Sequence, residues 1–210
     1  VLKGFDPVFG YGFVWLWSLM GVIGIVWFIN LYNFLDGSDG YASMQAITVS
    51  AGMYIFTGSV IFTLLMISVT GFLFWNWPKA KIFMGDVGST VLGFLIIVTG
   101  IYFHNNNDLN FIYWIILTAL FWFDATFTIV RRIINKENLV LAHKKHAYQR
   151  IIQKGFSHLQ TLIAGFILNT VFFFLAFGCR KLILNPLIAL SIVVVIMCLI
   201  IVYIDKRSQI

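Results

Sequence analysis

The stretch Asn33–Gly40, N-F-L-D-G-S-D-G, decides the fold of this 210-residue chain. It lies between two apolar runs, Tyr11–Ile29 and Ala42–Phe56, which are both candidates for membrane helices. A charged side chain at the bilayer centre costs ~2.5–3.5 kcal/mol, so we expect the two aspartates to lie in a loop outside the hydrocarbon. The pattern predicts membrane helices joined by a polar loop with a function of its own.

The two glycines of this stretch indicate a shaped turn. Gly37 and Gly40 each follow an aspartate, and we expect both to supply the positive φ angles of tight turns. Asp36 and Asp39 are three residues apart, so both carboxylates can face one side and gather a cation or the magnesium of a phosphate. An ordinary D-G turn between helices is the alternative, and the octapeptide by itself leaves both interpretations open.

The composition of the chain is typical of a polytopic membrane protein. Hydrophobic residues make up 60% of it and charged residues 10%, well below the roughly 25% charged residues of a soluble domain. The net charge is +6, but the basic residues lie in short connections between apolar runs, which favours membrane orientation over nucleic-acid binding. We therefore predict an all-α transmembrane bundle, with residues 1–210 forming a single integral membrane domain and no nucleic-acid partner.

Seven apolar runs are candidate spans, two of them forming a tight hairpin at Thr57–Ser59. The predicted spans are Tyr11–Ile29, Ala42–Phe56, Val60–Trp75, Val91–Phe103, Phe111–Val130, Leu159–Gly178 and Pro186–Tyr203. Their alternation puts 11 of the 14 Lys and Arg residues on the side of the Asn33–Gly40 loop. Because cytoplasmic loops are rich in Lys and Arg, we expect that side to be cytoplasmic. Cys179 and Cys198 should lie at different depths, so no disulfide is expected.

The second polar segment, Asn76–Thr90, carries one acid. Asp86 stands in G-D-V-G-S just before an apolar run, where backbone N–H groups at a helix start could hold an anion or orient the carboxylate. The alternative is that Asp86 and Ser89 only cap that helix. The carboxylates of the first two segments would face basic and imidazole groups of the third. Together these groups would form a site for magnesium and phosphate.

The third polar segment, Arg131–His158, supplies those imidazoles. His143 and His146 are three residues apart, hence on one face of a helix, and they suit contact with phosphate better than they suit zinc. The lysines of this segment are expected to rest on anionic lipid head groups. Asp124 lies inside a predicted span two helical turns before Arg131. For this acid a functional role and a structural pairing with a neighbouring span are both open.

Four motifs in order resemble the polyprenyl-phosphate N-acetylhexosamine-1-phosphate transferases, the family that includes phospho-N-acetylmuramoyl-pentapeptide transferase. They are N-L-Y-N-F-L-D-G-S-D-G-Y-A at Asn30–Ala42, F-W-N-W-P-K-A-K-I-F-M-G-D-V-G-S at Phe74–Ser89, D-A-T-F-T-I-V-R-R at Asp124–Arg132 and A-H-K-K-H-A-Y-Q-R at Ala142–Arg150. The sequences W-N-W-P and H-A-Y-Q-R are most similar to those of the bacterial family members that start O-antigen or capsule repeats.

The resemblance implies a reaction at the cytoplasmic face of the bacterial inner membrane. A polyprenyl phosphate such as undecaprenyl phosphate would attack the β-phosphate of a UDP-N-acetylhexosamine and release UMP. The lipid-diphosphate sugar would begin a lipopolysaccharide or another lipid-linked surface glycan. Mg²⁺ is the implied cofactor, with Mn²⁺ as the alternative ion, and a homodimer is an open alternative for the assembly.

The resemblance also implies roles for single residues. Asp86 would hold the metal, and Phe83 would stack on the uracil ring. The implied catalytic residues are two acids and two histidines, namely Asp36, Asp39, His143 and His146. The implied substrate-binding residues are Asn33, Asn76, Lys81, Phe83 and Arg150.

One feature of the family is missing from the chain. Its members carry an acidic D-D pair on an earlier cytoplasmic loop, and no D-D dipeptide occurs in these 210 residues. The chain resembles the C-terminal two-thirds of such an enzyme, and we expect these residues alone to be inactive or impaired. A non-catalytic membrane protein of the same family is therefore one alternative. A secondary transporter with Asp124 as its ion site is another, although the two halves show no internal repeat. An aromatic prenyltransferase is disfavoured, since its acids follow D-x-x-x-D.

Overall fold

The computed structural model describes residues 14–139, 141 and 143–208, and these residues form nine α-helices and no strand. In chain order the helices are α1 (Val14–Phe34), α2 (Tyr41–Thr57), α3 (Val60–Asn76), α4 (Gly85–Asn105), α5 (Phe111–Leu117), α6 (Ala119–Ile134), α7 (Ala147–Gln153), α8 (His158–Arg180) and α9 (Pro186–Ser208). The predicted all-α class is confirmed. The start of the predicted span Tyr11–Ile29 lies outside the described residues. Cys179 and Cys198 are free thiols.

The tight hairpin predicted at Thr57–Ser59 joins α2 to α3. Gly58 ends α2 with a φ of 69°, so its N–H reaches the carbonyl of Tyr54, a left-handed helix end that glycine adopts without strain. α3 stops before Trp77, which is extended because Pro78 follows it. The local turn chemistry of the sequence therefore sets both ends of α3.

Membrane crossing is clearest for three helices of the described part of the chain. By length and hydropathy α4, α8 and α9 can each cross a bilayer, and α5 with α6 forms a fourth span if the bent pair counts as one. This number differs from the seven predicted spans. The whole of α3 is an apolar helix of 17 residues, short of the ~20 that a span needs. α1 has 21 residues and is apolar over Ser18–Phe34.

The predicted span Phe111–Val130 is not one continuous helix. α5 and α6 meet at Thr118 and are bent by 73°. The carbonyl of Leu117 at this break accepts a hydrogen bond from Nε2 of Gln45 at 3.3 Å. Gln45 in turn accepts one from Nδ2 of Asn169 at 2.6 Å. Buried polar side chains of α2 and α8 thus satisfy the backbone where the membrane helix is interrupted.

α2 packs between α3 and α8, while α1 packs on α4 and α6. Glycines allow two of these close approaches. A Cβ on Gly93 of α4 would stand 2.9 Å from the side chain of Tyr32 in α1, and one on Gly165 of α8 would stand 2.8 Å from that of Met44 in α2. Small residues at such contacts are typical of membrane helices, whose association depends on close packing.

The two ends of the bundle differ in chemistry. At one end aromatic rings pack, with centroids 5.8 Å apart for Phe56 and Tyr113 and 5.3 Å apart for Phe62 and Phe103. Arg180, at the end of α8, lies over Phe56. At the other end the three polar segments meet. The connections therefore alternate between the two ends, as the predicted topology requires, and the cytoplasmic orientation of the polar end stays a prediction.

Candidate functional site

A buried amide ties the first polar segment to the second. Asn76, the last residue of α3, is only 3% exposed. Its Oδ1 accepts the N–H of Gly40 at 2.9 Å, and its Nδ2 donates to the carbonyl of Ile82 at 2.9 Å. The Ser43 hydroxyl donates to the same Oδ1 at 3.3 Å. Asn76 therefore holds the two segments together, a structural role that sequence reasoning missed.

The two glycines of the first segment serve different purposes. Gly40 has a φ of 70° and begins α2, as predicted. Gly37 is not among the glycines with positive φ, so the prediction of a left-handed residue there is wrong. A Cβ on Gly37 would instead overlap the phenol oxygen of Tyr148, from the third segment. Gly37 is needed for space at the contact between the first and third segments.

Asp39 lies where the first segment, the second segment and α8 meet. Its Oδ2 accepts the N–H of Ala80 at 3.2 Å, and its Oδ1 is 3.9 Å from Nδ1 of His158. The Ser38 hydroxyl is 3.0 Å from the same ring nitrogen. Sequence reasoning gave His158 no site role. Its position at the end of the third polar segment was the signal that could have found it.

A hydrogen bond between helices brings Asp36 and Asp86 near each other. The Ser89 hydroxyl of α4 donates to Oδ1 of Asn33 near the end of α1, at 2.6 Å. Burial, and secondarily the negative charge of Asp86, raise the pKa of Asp36 to about 7. Met84 is the N-cap residue of α4 and makes no side-chain cap, while Asp86 lies in the first turn, where the helix dipole favours a carboxylate. The carboxylates of Asp36 and Asp86 repel each other, and a divalent cation bound to their oxygens would relieve this repulsion.

This donor set fits Mg²⁺ bound together with a phosphate. Within the described ranges, no three His, Cys, Asp or Glu side chains form a cluster able to hold a metal by themselves. Magnesium, however, is usually bound by one or two carboxylates and completes its shell with water and substrate phosphates. Asp86, which is exposed, and the half-buried Asp36 could supply such carboxylate oxygens.

Next to Asp86 the second segment presents two exposed side chains. Phe83 is 74% exposed, so its ring is free to stack on a planar base. Lys81 is exposed as well, and its Nζ lies 5.6 Å from the ring centroid of Trp75. Both predicted substrate-binding residues therefore stand open to solvent in the segment that carries Asp86.

The two histidines of the third segment lie side by side, with ring centroids 5.0 Å apart. Burial, followed by the nearby His143, Arg132 and Arg150, lowers the pKa of His146 to about 4. Burial is also the main cause that lowers the pKa of His143, with Arg132 and Lys145 adding to it. Both imidazoles are therefore neutral at pH 7, so the predicted contact with phosphate would be a hydrogen bond and not an ion pair.

Two side chains attach the third segment to the helices. The Tyr148 hydroxyl donates to the carbonyl of Phe34 at 3.2 Å, next to the first segment. The carboxylate of Asp124 accepts the N–H of Ala147 at 2.8 and 3.1 Å. The partner of this intramembrane acid is thus the short helix α7, and not a neighbouring span. His146 immediately precedes these two attachments in the chain, and its ring is stacked on that of Phe34.

Arg150 has a different position from the other predicted substrate-binding residues. Its guanidinium forms an ion pair with Asp205 in α9, and Arg131 bonds the same carboxylate. The residues that the structure does bring together at the polar end are Asn33, Asp36, Asp39, Asn76, Lys81, Phe83, Asp86, His143 and His146. Sequence reasoning missed Asp205, although an acid at the end of the last apolar run, followed by two basic residues, was a signal for an ion pair.

Known proteins share much of this sequence. The model of the family described as glycosyl transferase family 4 matches residues 2–104. The chain is 32% identical over 167 residues to a probable undecaprenyl-phosphate N-acetylglucosaminyl 1-phosphate transferase of Bacillus subtilis, covering 75% of this chain and 47% of that protein. It is 31% identical over 136 residues to an undecaprenyl-phosphate alpha-N-acetylglucosaminyl 1-phosphate transferase of Thermotoga maritima, covering 63% of this chain and 43% of that protein.

A third similar protein is a phospho-N-acetylmuramoyl-pentapeptide-transferase of Lacticaseibacillus paracasei. It is 35% identical over 116 residues, which cover 49% of this chain and 36% of that protein. The chain spans about half the length, or less, of the curated relatives that it matches. The family match covers the first two polar segments, and the relatives named above are all sugar-phosphate transferases. Over its first half the chain is therefore similar to glycosyl transferase family 4.

Proposed function

We propose that the whole protein transfers the N-acetylhexosamine 1-phosphate group of a UDP-sugar to a polyprenyl phosphate. An oxygen of the lipid phosphate forms a bond to the sugar-bearing phosphorus. The bond between the two phosphates of the UDP-sugar breaks, and UMP leaves with its electron pair. The names of the relatives suggest undecaprenyl phosphate as the acceptor and N-acetylglucosamine 1-phosphate as the transferred group.

The observation that carries the proposal is the meeting of three polar segments at one end of apolar helices. Hydrogen bonds from Ser89 to Asn33, from Ala80 to Asp39 and from Tyr148 to Phe34 join the first segment to the other two. A site at the ends of membrane helices can receive a lipid phosphate at head-group depth and a nucleotide from water. Phosphoryl transfer needs acids that bind a metal and hydrogen-bond donors that bind the phosphates, and this end of the bundle has both.

Each group has a proposed part in this reaction. Asp86 and Asp36 would hold Mg²⁺, or Mn²⁺ as the alternative, which when bound offsets the charge of the phosphates. His143 and His146 would donate hydrogen bonds to phosphate oxygens, and Asp39 would act as the essential acid of the first segment. Phe83 would stack on the uracil ring, with Lys81 and Asn33 at its side. The product would begin a lipid-linked surface glycan such as an O-antigen, made at the cytoplasmic face of the inner membrane.

The test uses the intact protein in membranes, with undecaprenyl phosphate, Mg²⁺ and UDP-N-acetylglucosamine labelled in the sugar. We expect labelled lipid and an equal amount of UMP. Asp86→Asn removes the proposed metal carboxylate and should reduce the rate by about 100-fold or more. Asp108→Asn, the same change at an exposed acid before α5, is the matched control and should leave the rate unchanged.

Two results would contradict the proposal. One is the absence of labelled lipid from the folded intact protein with each UDP-N-acetylhexosamine tried. The other, directed at the metal alone, is a wild-type rate for Asp86→Asn. A chelator should also stop transfer, and added Mg²⁺ or Mn²⁺ should restore it.

A further inference from the structure

We infer that Asp124 is a positioning residue, whose carboxylate holds the backbone at Ala147 and so sets where the His146 imidazole stands. The inference rests on the proposed function, in which His146 contacts phosphate groups. It assigns the intramembrane acid neither to ion transport nor to a contact with substrate. Asp124 acts on the site through the chain segment that it binds.

The hydrogen bonds of Asp124 define this role. The side chain is 3% exposed and lies in the middle of α6. Its two oxygens accept the N–H of Ala147 at 2.8 and 3.1 Å, and Oδ1 accepts the Thr128 hydroxyl at 3.3 Å. A buried carboxylate is costly unless it is hydrogen-bonded, and here its backbone partner belongs to the third polar segment. The rigid helix α6 therefore carries the anchor point of that segment.

His146 immediately precedes the anchored residue. Its ring is 2% exposed and is flanked by the rings of Phe34 and Tyr148, with centroids 6.2 and 6.1 Å away. Nδ1 of His146 is 4.0 Å from Oδ1 of Asp124, which is too long for a hydrogen bond. The acid consequently acts on the imidazole through the peptide N–H of Ala147. A change in that bond should move the ring with its backbone.

Two substitutions at Asp124 separate hydrogen bonding from charge. Asp124→Asn keeps an oxygen that can accept the Ala147 N–H, whereas Asp124→Ala keeps none. In the intact protein, per mole of folded enzyme, we expect Asp124→Ala to lower kcat by about 100-fold with little change in KM for the UDP-sugar. Asp124→Asn should retain most of kcat. A wild-type kcat in Asp124→Ala, or an equal loss in both folded variants, overturns the inference.

A substitution at the donor residue, Ala147, tests the same hydrogen bond if Asp124→Ala does not fold. Ala147→Pro removes the donor N–H itself. Proline suits this position, because Ala147 is the first residue of α7 and His146 before it is extended, with φ −61° and ψ 150°. Ala147→Pro should reproduce the loss of kcat, and a wild-type kcat in this variant overturns the inference. Thr128→Val, which removes only the hydroxyl contact, is the control with little expected change.

A double-mutant cycle distinguishes positioning from general structural support. In a His146→Ala background Asp124→Ala should cause no further loss of kcat, since both changes act through one side chain. A purely structural Asp124 would add its own loss to that of His146→Ala, and this result would overturn the inference.

A readout without activity separates this inference from the proposed function. Lys144 and Lys145 are exposed just before His146, so trypsin can report on the loop. Cleavage there should be faster in Asp124→Ala and unchanged in Asp124→Asn. Absence of transfer by the wild type would contradict the proposed function, whereas unchanged cleavage in Asp124→Ala would contradict the role of Asp124.

Discussion

Asp36 and His146 are the two residues of the site whose protonation the protein changes most. The pKa of Asp36 rises to about 7 through burial and then the charge of Asp86, while burial lowers the pKa of His146 to about 4. Near pH 7 the first shift reduces the negative charge of Asp36 and the second keeps the His146 imidazole neutral. A site with little charge of its own suits the joint binding of a cation and phosphates, whose opposite charges offset each other.

The shift at His146 predicts a dependence of stability on pH. Between pH 6.5 and about 4 the unfolded imidazole binds a proton that the folded one does not, so unfolding becomes easier as the pH falls. The slope contributed by this group is at most about 1.4 kcal/mol per pH unit. His146→Asn should lack this contribution. Chemical denaturation in detergent at several pH values, compared between wild type and variant, measures it.

Asp36 provides the control of opposite sign. Its folded pKa is raised from 3.8 to about 7, so the folded state binds more protons in that window and the wild type loses stability as the pH rises. Relative to Asp36→Asn, the wild type should therefore weaken with rising pH up to about 7 and change little above it. Stability curves of wild type and either variant that run parallel over the relevant window would contradict the assigned shift.

At the scale of elements, the polar segments are shaped by contacts between one another. α3 ends in Asn76, whose amide bonds Gly40 at the start of α2. α7 places Tyr148 against Gly37, and the Tyr148 hydroxyl reaches the last residue of α1. The segments have little regular structure of their own, so these contacts between elements define their conformation.

The Gly37–Tyr148 contact predicts a specific pair of substitutions. Gly37→Ala puts a Cβ onto the phenol oxygen and should destabilise the protein by about 1–3 kcal/mol. Tyr148→Phe removes that oxygen, together with one hydrogen bond worth about 1 kcal/mol. In the Tyr148→Phe background, Gly37→Ala should then cost much less. Unfolding in detergent of the four proteins of the cycle measures this coupling.

Gly21 supplies the matched control for the alanine substitution. A Cβ at Gly21 in α1 would meet nothing within 4 Å, so Gly21→Ala should be neutral or slightly stabilising. An equal cost of Gly37→Ala with tyrosine and with phenylalanine at position 148 would show that space at this contact does not matter.

At the scale of the whole molecule, α9 is joined to the polar end by Asp205. Its carboxylate bonds Arg131 at the end of α6 and Arg150 in α7. The side chains of Asp205 and Arg150 are 23% and 14% exposed, so the ion pair is largely shielded from water. The last helix of the chain thereby stabilises the segment that carries the histidines.

Breaking this ion pair tests the link. Asp205→Asn leaves Arg150 shielded and without its counter-charge, and should destabilise the protein by about 1–2 kcal/mol. Thermal unfolding in detergent gives the comparison with Asp108→Asn, an exposed acid for which the expected change is within about 0.5 kcal/mol. Equal melting temperatures for the two variants would contradict a stabilising role for the Asp205 ion pair.

Several features of the fold follow from local sequence. The α2–α3 hairpin, the left-handed Gly40 and the end of α3 before Pro78 depend on glycine and proline at defined positions. The bend at Thr118 could not be predicted in this way, because residues 111–123 around it contain no glycine or proline. The polar groups that satisfy the break, Gln45 and Asn169, come from other helices.

The same division holds within the candidate site. The acids and histidines lie on polar segments that interrupt apolar runs, and this placement is visible in the chain. Gly40, Tyr148 and Ala147, the partners of Asn76, Gly37 and Asp124, are 36, 111 and 23 residues away, and a linear pattern carries no signal for these contacts.

By itself, the sequence of this protein determined an all-α membrane fold with its polar connections alternating between two ends, since hydropathy and turn chemistry act over a few neighbouring residues. The packing of the helices was needed to show that Asn76 bonds both Gly40 and Ile82, that Arg150 pairs with Asp205 and that Asp124 holds the histidine segment. The physical reason is that a buried polar group must find a partner, and the packing of distant helices determines which one is within reach.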